Sequence, residues 1–366
     1  MKKALCLILS ACILIPFCLT SCSKKENASS DYVSEAPFVD SSSGIAKTEE
    51  DGKFTFAFDP YVLPDGVKKS LENISYYKNF VDAVIEADET VSMPSREYYD
   101  KIRFAIGENF AFSALISNLR YDSENNQILI SYEYNQSHDT KIKDFEDAVS
   151  DIFDECVKNS DGEVIAAMSI YTWLAQNIEI VENVKVKPLE KPEFSASDIA
   201  SSEDASSENT SSSDEKTEEI DTDILNTLLD KKGTETSVAA LYNFLLRQLD
   251  IECMLVSNWN GNEYNAWNMV ELDSKWYHCI IPAEIEKTEG TGLKFFGMTK
   301  ARVVSVVGES DIYTGQADWL SKNIPSAKSE RFNEFSTIAS FEITETRNGI
   351  TAFTDEFGRF SWSIND

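Results

Sequence analysis

The sequence predicts an α+β fold, with helices packed on an antiparallel sheet, and three observations predict it. Val164, Ala167, Met168, Tyr171, Leu174, Ala175 and Ile178 recur at the 3.6-residue period of a buried helix face. Ile128, Ile130, Tyr132 and Tyr134 alternate as in a strand with one buried side. The turn pairs Asp273-Ser274 and Asn348-Gly349 separate alternating runs, which marks hairpins late in the chain. Helical periods come first and hairpin-linked strands last, the order of an α+β chain.

The first element is not part of the fold. Lys2 and Lys3 precede 16 almost wholly apolar residues, 4–19, and the stretch ends in Leu19-Thr20-Ser21-Cys22. A basic start, a short apolar run and small residues before a cut site describe an export signal over residues 1–21. The run falls short of the ~20 residues of a spanning helix. Leu-Thr-Ser-Cys resembles the lipobox of bacterial lipoproteins. That resemblance implies cleavage before Cys22, lipid on its sulfur, and a cell-membrane location on the extracytoplasmic face. Residues 22–53, rich in Ser, Glu and Asp, then read as a disordered tether with a reach of ~30 Å.

Folded sequence begins near residue 54. A lead region, 54–140, is expected to be a small α+β unit. It holds a strand over 54–58, a helix from a cap at Asp65 to about 87, a helix over 97–110, and the strand that follows Asn125-Asn126. The body, 141–330, starts with a helix capped by Asp144 and striped by Phe145, Ala148, Val149, Ile152 and Cys156. The helix of the first observation follows. Within the insertion 186–222 and at its end, residues 195–223 hold ten acidic residues against Lys216, and nine serines. Such a segment cannot bury enough apolar surface to offset its chain entropy, so disorder is expected. Beyond it come a helix over 235–249 and strands over 251–259, 266–272 and 275–281. Residues 331–366 are expected to form a C-terminal hairpin. The parts should make one two-part globular body, without internal repeats.

Composition narrows the partners. There are 33 Lys and Arg against 63 Asp and Glu, a formal charge of −30. Nucleic acid and anionic lipid headgroups need clustered cations, so neither is an expected ligand. Of seven cysteines, Cys6, Cys12 and Cys18 leave with the signal and Cys22 takes lipid. The remaining three, Cys156, Cys253 and Cys279, are an odd number and make no full disulfide framework. Cys156 reads as a small buried hydrophobe. Cys253 and Cys279 fall in strands and are expected to stay unpaired. No Cys/His spacing suggests zinc and no Gly-rich loop suggests phosphate binding, so no cofactor or metal is expected.

Residues 232–282 carry a resemblance. The chain reads Gly233-Thr234-Glu235, then Asp250-Ile251-Glu252-Cys253, then Asn265-Ala266-Trp267-Asn268-Met269-Val270, then Lys275-Trp276-Tyr277-His278-Cys279-Ile280. This resembles the core of the transglutaminase-like family, whose fold is related to papain-like proteases. Residues 54–140 resemble the lead region of bacterial surface lipoproteins of that family. The resemblance implies a nucleophile at the start of a buried helix and a histidine and an aspartate on neighbouring strands. A thiolate at a helix N-terminus is favoured by the dipole, and an imidazole oriented by a carboxylate takes its proton. Active members attack amides through a thioester.

Here all three positions depart from the pattern: Glu235 stands for the cysteine, Asn265 for the histidine and Ile280 for the aspartate. Glutamate does no thiol chemistry, asparagine cannot shuttle a proton at neutral pH, and isoleucine has no hydrogen-bonding side chain. The chain has two histidines. His138 is expected in a polar, solvent-facing turn and His278 as scaffold. Thr234 reads as the helix cap, with Glu235 in the first turn; Thr236 and Ser237 have no base placed for them.

The expectation is a pseudoenzyme, a binding or scaffold module at the cell surface, whose ligand is a peptide, protein or glycan of the envelope. Trp259, Tyr264 and Trp267 are the candidate groove residues, with Trp267 and Trp276 also readable as core. Two alternatives stand beside it: altered amide or glycan chemistry with Glu235 as acid or base and Asn265 as an oxyanion donor, and a structural role in an envelope assembly.

Overall fold

The computed structural model describes residues 56–133, 137–181, 223–259, 264–307, 313, 324–354 and 358–365, and the backbone of 39–40 and 44–45; the side chains of Glu108, Trp259 and Tyr264 are excepted. The export signal, Cys22 and the insertion 186–222 lie outside these residues. So does the tether, apart from the antiparallel pairing of Val39–Asp40 (β1) with Gly44–Ile45 (β2). The chain divides into Met1–Glu35 and Ala36–Asp366, and everything described belongs to the second unit. No helix among the described residues is long and apolar enough to cross a membrane.

The described part of the aromatic alternation at 54–58, from Phe56 on, does not build a strand. From Phe56 to Asp59 the backbone is in no sheet. Phe56 packs on Phe153 with ring centroids 4.4 Å apart, and Phe58 meets Phe112, Phe145 and Phe244 at 5.9–6.2 Å. The alternation serves an aromatic plug instead. The backbone is satisfied by a side chain: Asp59 N–H donates to Gln248 Oε1 (3.0 Å) and Gln248 Nε2 donates to Asp59 O (2.7 Å).

The single helix expected from Asp65 is two helices. Pro64 precedes α1 (Asp65–Leu71), so Asp65 is its first residue and not its cap. Glu72 then turns left-handed (φ 58°), which interrupts the helix. Asn73 Oδ1 accepts the Ser75 N–H (3.1 Å), a local turn bond that launches α2 (Ser75–Ile85). Ser95 caps α3 (Arg96–Asn109) by accepting the Tyr98 N–H. Strands β3 (Thr90–Ser92), β4 (Ile116–Asp122) and β5 (Gln127–Tyr132) pair in the order β3-β5-β4, all antiparallel.

Helix α4 (His138–Cys156) starts six residues before the expected cap at Asp144. Its first residue corrects another expectation. His138 is buried, with Nε2 2.6 Å from Val84 O and its ring edge-on to Tyr132. Helix α5 (Glu163–Asn177) is apolar on nearly every side, as a helix with neighbours all round must be. Each large side chain it buries contributes roughly 1.5–3 kcal/mol. Asp223 caps the short α6 (Ile224–Asp230), and β6 (Glu179–Ile180) pairs in parallel with β7 (Lys232–Gly233).

The central sheet follows α7 (Glu235–Arg247). Its strands β8 (Cys253–Trp259), β9 (Tyr264–Leu272) and β10 (Lys275–Cys279) pair antiparallel in the order β10-β9-β8. Asp273 and Ser274 both have positive φ (49° and 61°), the tight hairpin turn that the sequence signalled. Helices α8 (Ile281–Thr288) and α9 (Lys300–Val307) come next. The C-terminal hairpin gains a third strand: β11 (Ile338–Ile343), β12 (Gly349–Thr354) and β13 (Gly358–Ser363) form one sheet. Its first turn is longer than the Asn348-Gly349 pair suggested. Thr344 N–H donates to Gly349 O, and Arg347 takes the left-handed position (φ 53°).

One hydrophobic cluster runs from Val62 through α4, α5 and α7 to Trp362. The lead, central and C-terminal stretches therefore share a core. Buried Asp161 adds a polar tie: Arg347 Nη2 donates to its Oδ2 at 2.7 Å and to Cys156 O at 3.0 Å, and Nε donates to Oδ1. This fastens the C-terminal turn to the loop between α4 and α5.

Candidate functional site

The N-terminus of α7 is built by its own sequence. Thr234 sits in extended backbone (φ −81°, ψ 169°), and its Oγ1 accepts the Ser237 N–H at 3.3 Å. Ser237 Oγ in turn accepts the Thr234 N–H at 2.9 Å, closing a reciprocal capping box. Gly233 is required by contact. A Cβ there would lie 2.5 Å from Ser237 Oγ and 2.7 Å from Thr227 Cγ2. Glu235 is the first helical residue and half-buried. Ser237 is buried and spent on the cap, so it is not a free hydroxyl.

The sheet has two faces with different jobs. Asn268 on β9 donates from Nδ2 to Ala239 O of α7 at 2.8 Å. Cys253, Leu255, Ala266, Val270, Tyr277 and Cys279 share that side and join the main core. Asn265, Trp267, Met269, His278 and Ile280 lie on the other side. There Val256, Trp267, Met269 and Ile280 pack with Met298 and Val303 in a second cluster. Asn265 is half-buried opposite Asn258 in the register, and among the described residues its side chain has no hydrogen-bond partner. Ile280 is 8% exposed, with its N–H on Phe295 O (3.0 Å) and its carbonyl accepting from Tyr171 Oη (3.2 Å). Asn265 and Ile280 thus share a sheet face, but it is the face turned away from the helix that carries Glu235.

His278 is sealed. The Trp267 indole N–H donates to its Nδ1 at 2.9 Å, and Tyr313 Oη lies 3.2 Å from its Nε2. Burial, helped by the Lys300 charge, holds its pKa down to about 3. It is a neutral core imidazole with both nitrogens engaged. The same bond corrects the assignment of Trp267 to a groove. Its side chain is 1% exposed and belongs to the second cluster. Trp259 and Tyr264 pair through their backbones, and their side chains lie outside the described residues.

The thiols are not reactive either. Cys156, Cys253 and Cys279 are buried and unpaired. Burial pushes Cys156 and Cys279 up to about 12 and Cys253 well above the ordinary thiol range. A thiol so placed supplies no thiolate at neutral pH. Among the described residues, no group of His, Cys, Asp and Glu could hold a metal ion.

Sequence reasoning missed two features. Glu284 on α8 is a buried carboxylate whose pKa is raised by burial. Its Oε2 accepts from Tyr171 Oη (3.0 Å) and the Phe295 N–H (2.8 Å), and its Oε1 from Thr288 Oγ1 (2.7 Å). It is fully satisfied and pins α8 to α5. The second is a cleft of ≈ 310 Å³ beside the first turns of α7, between α3, β4 and the start of α6. Thr236, Ser237 and Ala240 form its α7 wall. Its walls come from segments far apart in the chain, so no local pattern announces it.

Residues 185–279 match the family model of the transglutaminase-like superfamily. No curated protein matches the chain. Among solved structures, a candidate cysteine protease from Cytophaga hutchinsonii is similar at 14% identity and a TM-score of 0.23. The alignment covers 37% of this chain and 37% of that one, so this chain spans little over a third of that protein. The matched stretch takes in the α7 helix and most of the β8–β10 sheet, so this part of the α+β chain is similar to the core of transglutaminase-like domains.

Proposed function

We propose that the chain is a lipid-anchored module at the extracytoplasmic face of a bacterial membrane, in which a transglutaminase-like domain binds a partner and does no chemistry. The observation that carries this reading is the state of the one histidine in the sheet. His278 is closed in by Trp267 and Tyr313 and held neutral. With Glu235 at the nucleophile position and Asn265 at the base position, no thiolate–imidazole pair is available among the described residues. The capping box at Thr234 supports the same reading, since it gives the first turn of α7 a structural duty.

The anchor rests on Leu19-Thr20-Ser21-Cys22 alone. Replacing Cys22 with Ala should release the protein from the membrane fraction, and the mature wild type should gain the mass of lipid. For the domain, the purified chain is offered a glutamine-donor peptide with a primary amine, and separately a peptide alone. No product is expected from either. Turnover that disappears in Glu235→Ala would overturn the reading and make Glu235 an acid or base.

A further inference from the structure

We infer that the cleft beside α7 is a receptor for a guanidinium group, the side chain of an arginine presented by a partner peptide. The inference deepens the binding-module reading and rests on it. At ≈ 310 Å³ the cleft is at the small end of ligand sites and suits one side chain rather than a large molecule. It is graded from inside to outside. Phe110, Ile224 and Ala240 make a buried apolar floor, Ser113 and Thr236 put hydroxyls on half-buried walls, and Glu133 stands exposed at the rim.

Among the described residues, the charges lining it have one sign: Glu133 and Asp223 are the ionisable groups, and no Lys, Arg or His is among them. Asp223 is partly committed, with Oδ1 accepting the Asn226 N–H (2.8 Å) and Oδ2 its Nδ2 (3.0 Å). Glu133 makes no side-chain hydrogen bond or ion pair among the described residues. A cationic guest therefore meets a waiting carboxylate at the mouth. The whole chain, at −30, steers cations toward itself.

The arrangement favours guanidinium over ammonium. A guanidinium offers five donors in a planar fork and matches a carboxylate with two parallel bonds, leaving donors for hydroxyls. It is also the more weakly hydrated cation, so it loses less on entering a half-buried space. Its three-carbon stem would lie on the apolar floor.

The test is calorimetric titration of the full-length chain in detergent with Nα-acetyl-arginine amide. Nα-acetyl-citrulline amide, the neutral isostere, and Nα-acetyl-lysine amide serve as comparisons. The arginine probe should bind saturably, and the citrulline probe about tenfold more weakly or worse. Glu133→Gln, an exposed change, should weaken arginine binding about fivefold. Ala114→Trp, at a half-buried wall position, should abolish it by filling the cleft without altering charge. No saturable arginine binding overturns the inference, as does equal binding of citrulline or of lysine. Binding unchanged in Ala114→Trp overturns the placement and leaves the binding-module reading standing. Failure of that reading would show separately, as turnover in the glutamine-donor assay.

Discussion

Trp267 and His278, on adjacent strands, are joined by the indole N–H donating to Nδ1 at 2.9 Å. Because Nδ1 accepts, the ring proton sits on Nε2, which faces Tyr313 Oη at 3.2 Å. A ring in this state is a cross-strand strut. It has no free lone pair with which to act as a base.

That bond has a pH signature. Burial holds His278 near 3, while an unfolded histidine titrates near ~6.5. Between these values the unfolded chain holds the proton and the folded chain does not, so stability rises with pH. The contribution is complete above about pH 6.5 and drains away as pH falls toward 3. Urea unfolding should show wild type losing about 2 kcal/mol more than His278→Gln between pH 7 and pH 5. A gap between the two proteins that stays constant with pH would mean the ring is not held neutral.

Asp161 and Arg347 give a second prediction. Asp161 is fully buried, and Arg347 reaches both its oxygens from the C-terminal turn. Removing only the cation, as Arg347→Met, strands a buried carboxylate and should cost about 3–5 kcal/mol in denaturant unfolding. The double change with Asp161→Asn should recover part of that loss. Additive losses in the double variant would show that the two side chains act independently.

The start of α7 predicts a graded pair of effects. Thr234→Ala removes one half of the capping box and should cost ~1 kcal/mol. Gly233→Ala forces a methyl against Ser237 Oγ and Thr227 Cγ2 and should cost about 1–3 kcal/mol. If Gly233→Ala proves the milder change in thermal unfolding, the helix start has more room than its contacts indicate.

Local chemistry was legible in the sequence where it acts over a few residues. The Asp273-Ser274 turn, the α5 stripe and the Thr234 cap all rest on neighbours within one or two turns of chain. Errors arose where a distant partner decided. Phe56 and Phe58 alternate like a strand, yet their neighbours include the helical Phe153, Phe145 and Phe244, and Gln248 takes the backbone bonds of Asp59. His138 looked exposed in a polar stretch, but Val84 O, from α2, fixes it inside. Trp267 carried two readings, and the second cluster decided for the core. The resemblance to the transglutaminase-like family singled out Glu235, Asn265 and Ile280; that the last two face away from α7 required the sheet register.

Ile280 supports the final prediction, because its buried surroundings differ from the half-buried helix start at Glu235. Its side chain packs with Val256, Trp267, Met269 and Met298 and is 8% exposed. An aspartate there would place a carboxylate among these apolar groups. The cost should be about 3 kcal/mol or more, with the new acid forced toward its protonated form. Glu235→Cys is different, since Glu235 is half-buried at a helix start and should tolerate replacement within about 1 kcal/mol. Paired urea melts of Ile280→Asp and Glu235→Cys test the contrast directly. A neutral Ile280→Asp would mean that this position opens onto a polar space. A large loss at Ile280 alone would mean that packing with Val256, Trp267, Met269 and Met298 decides which side chain this position accepts.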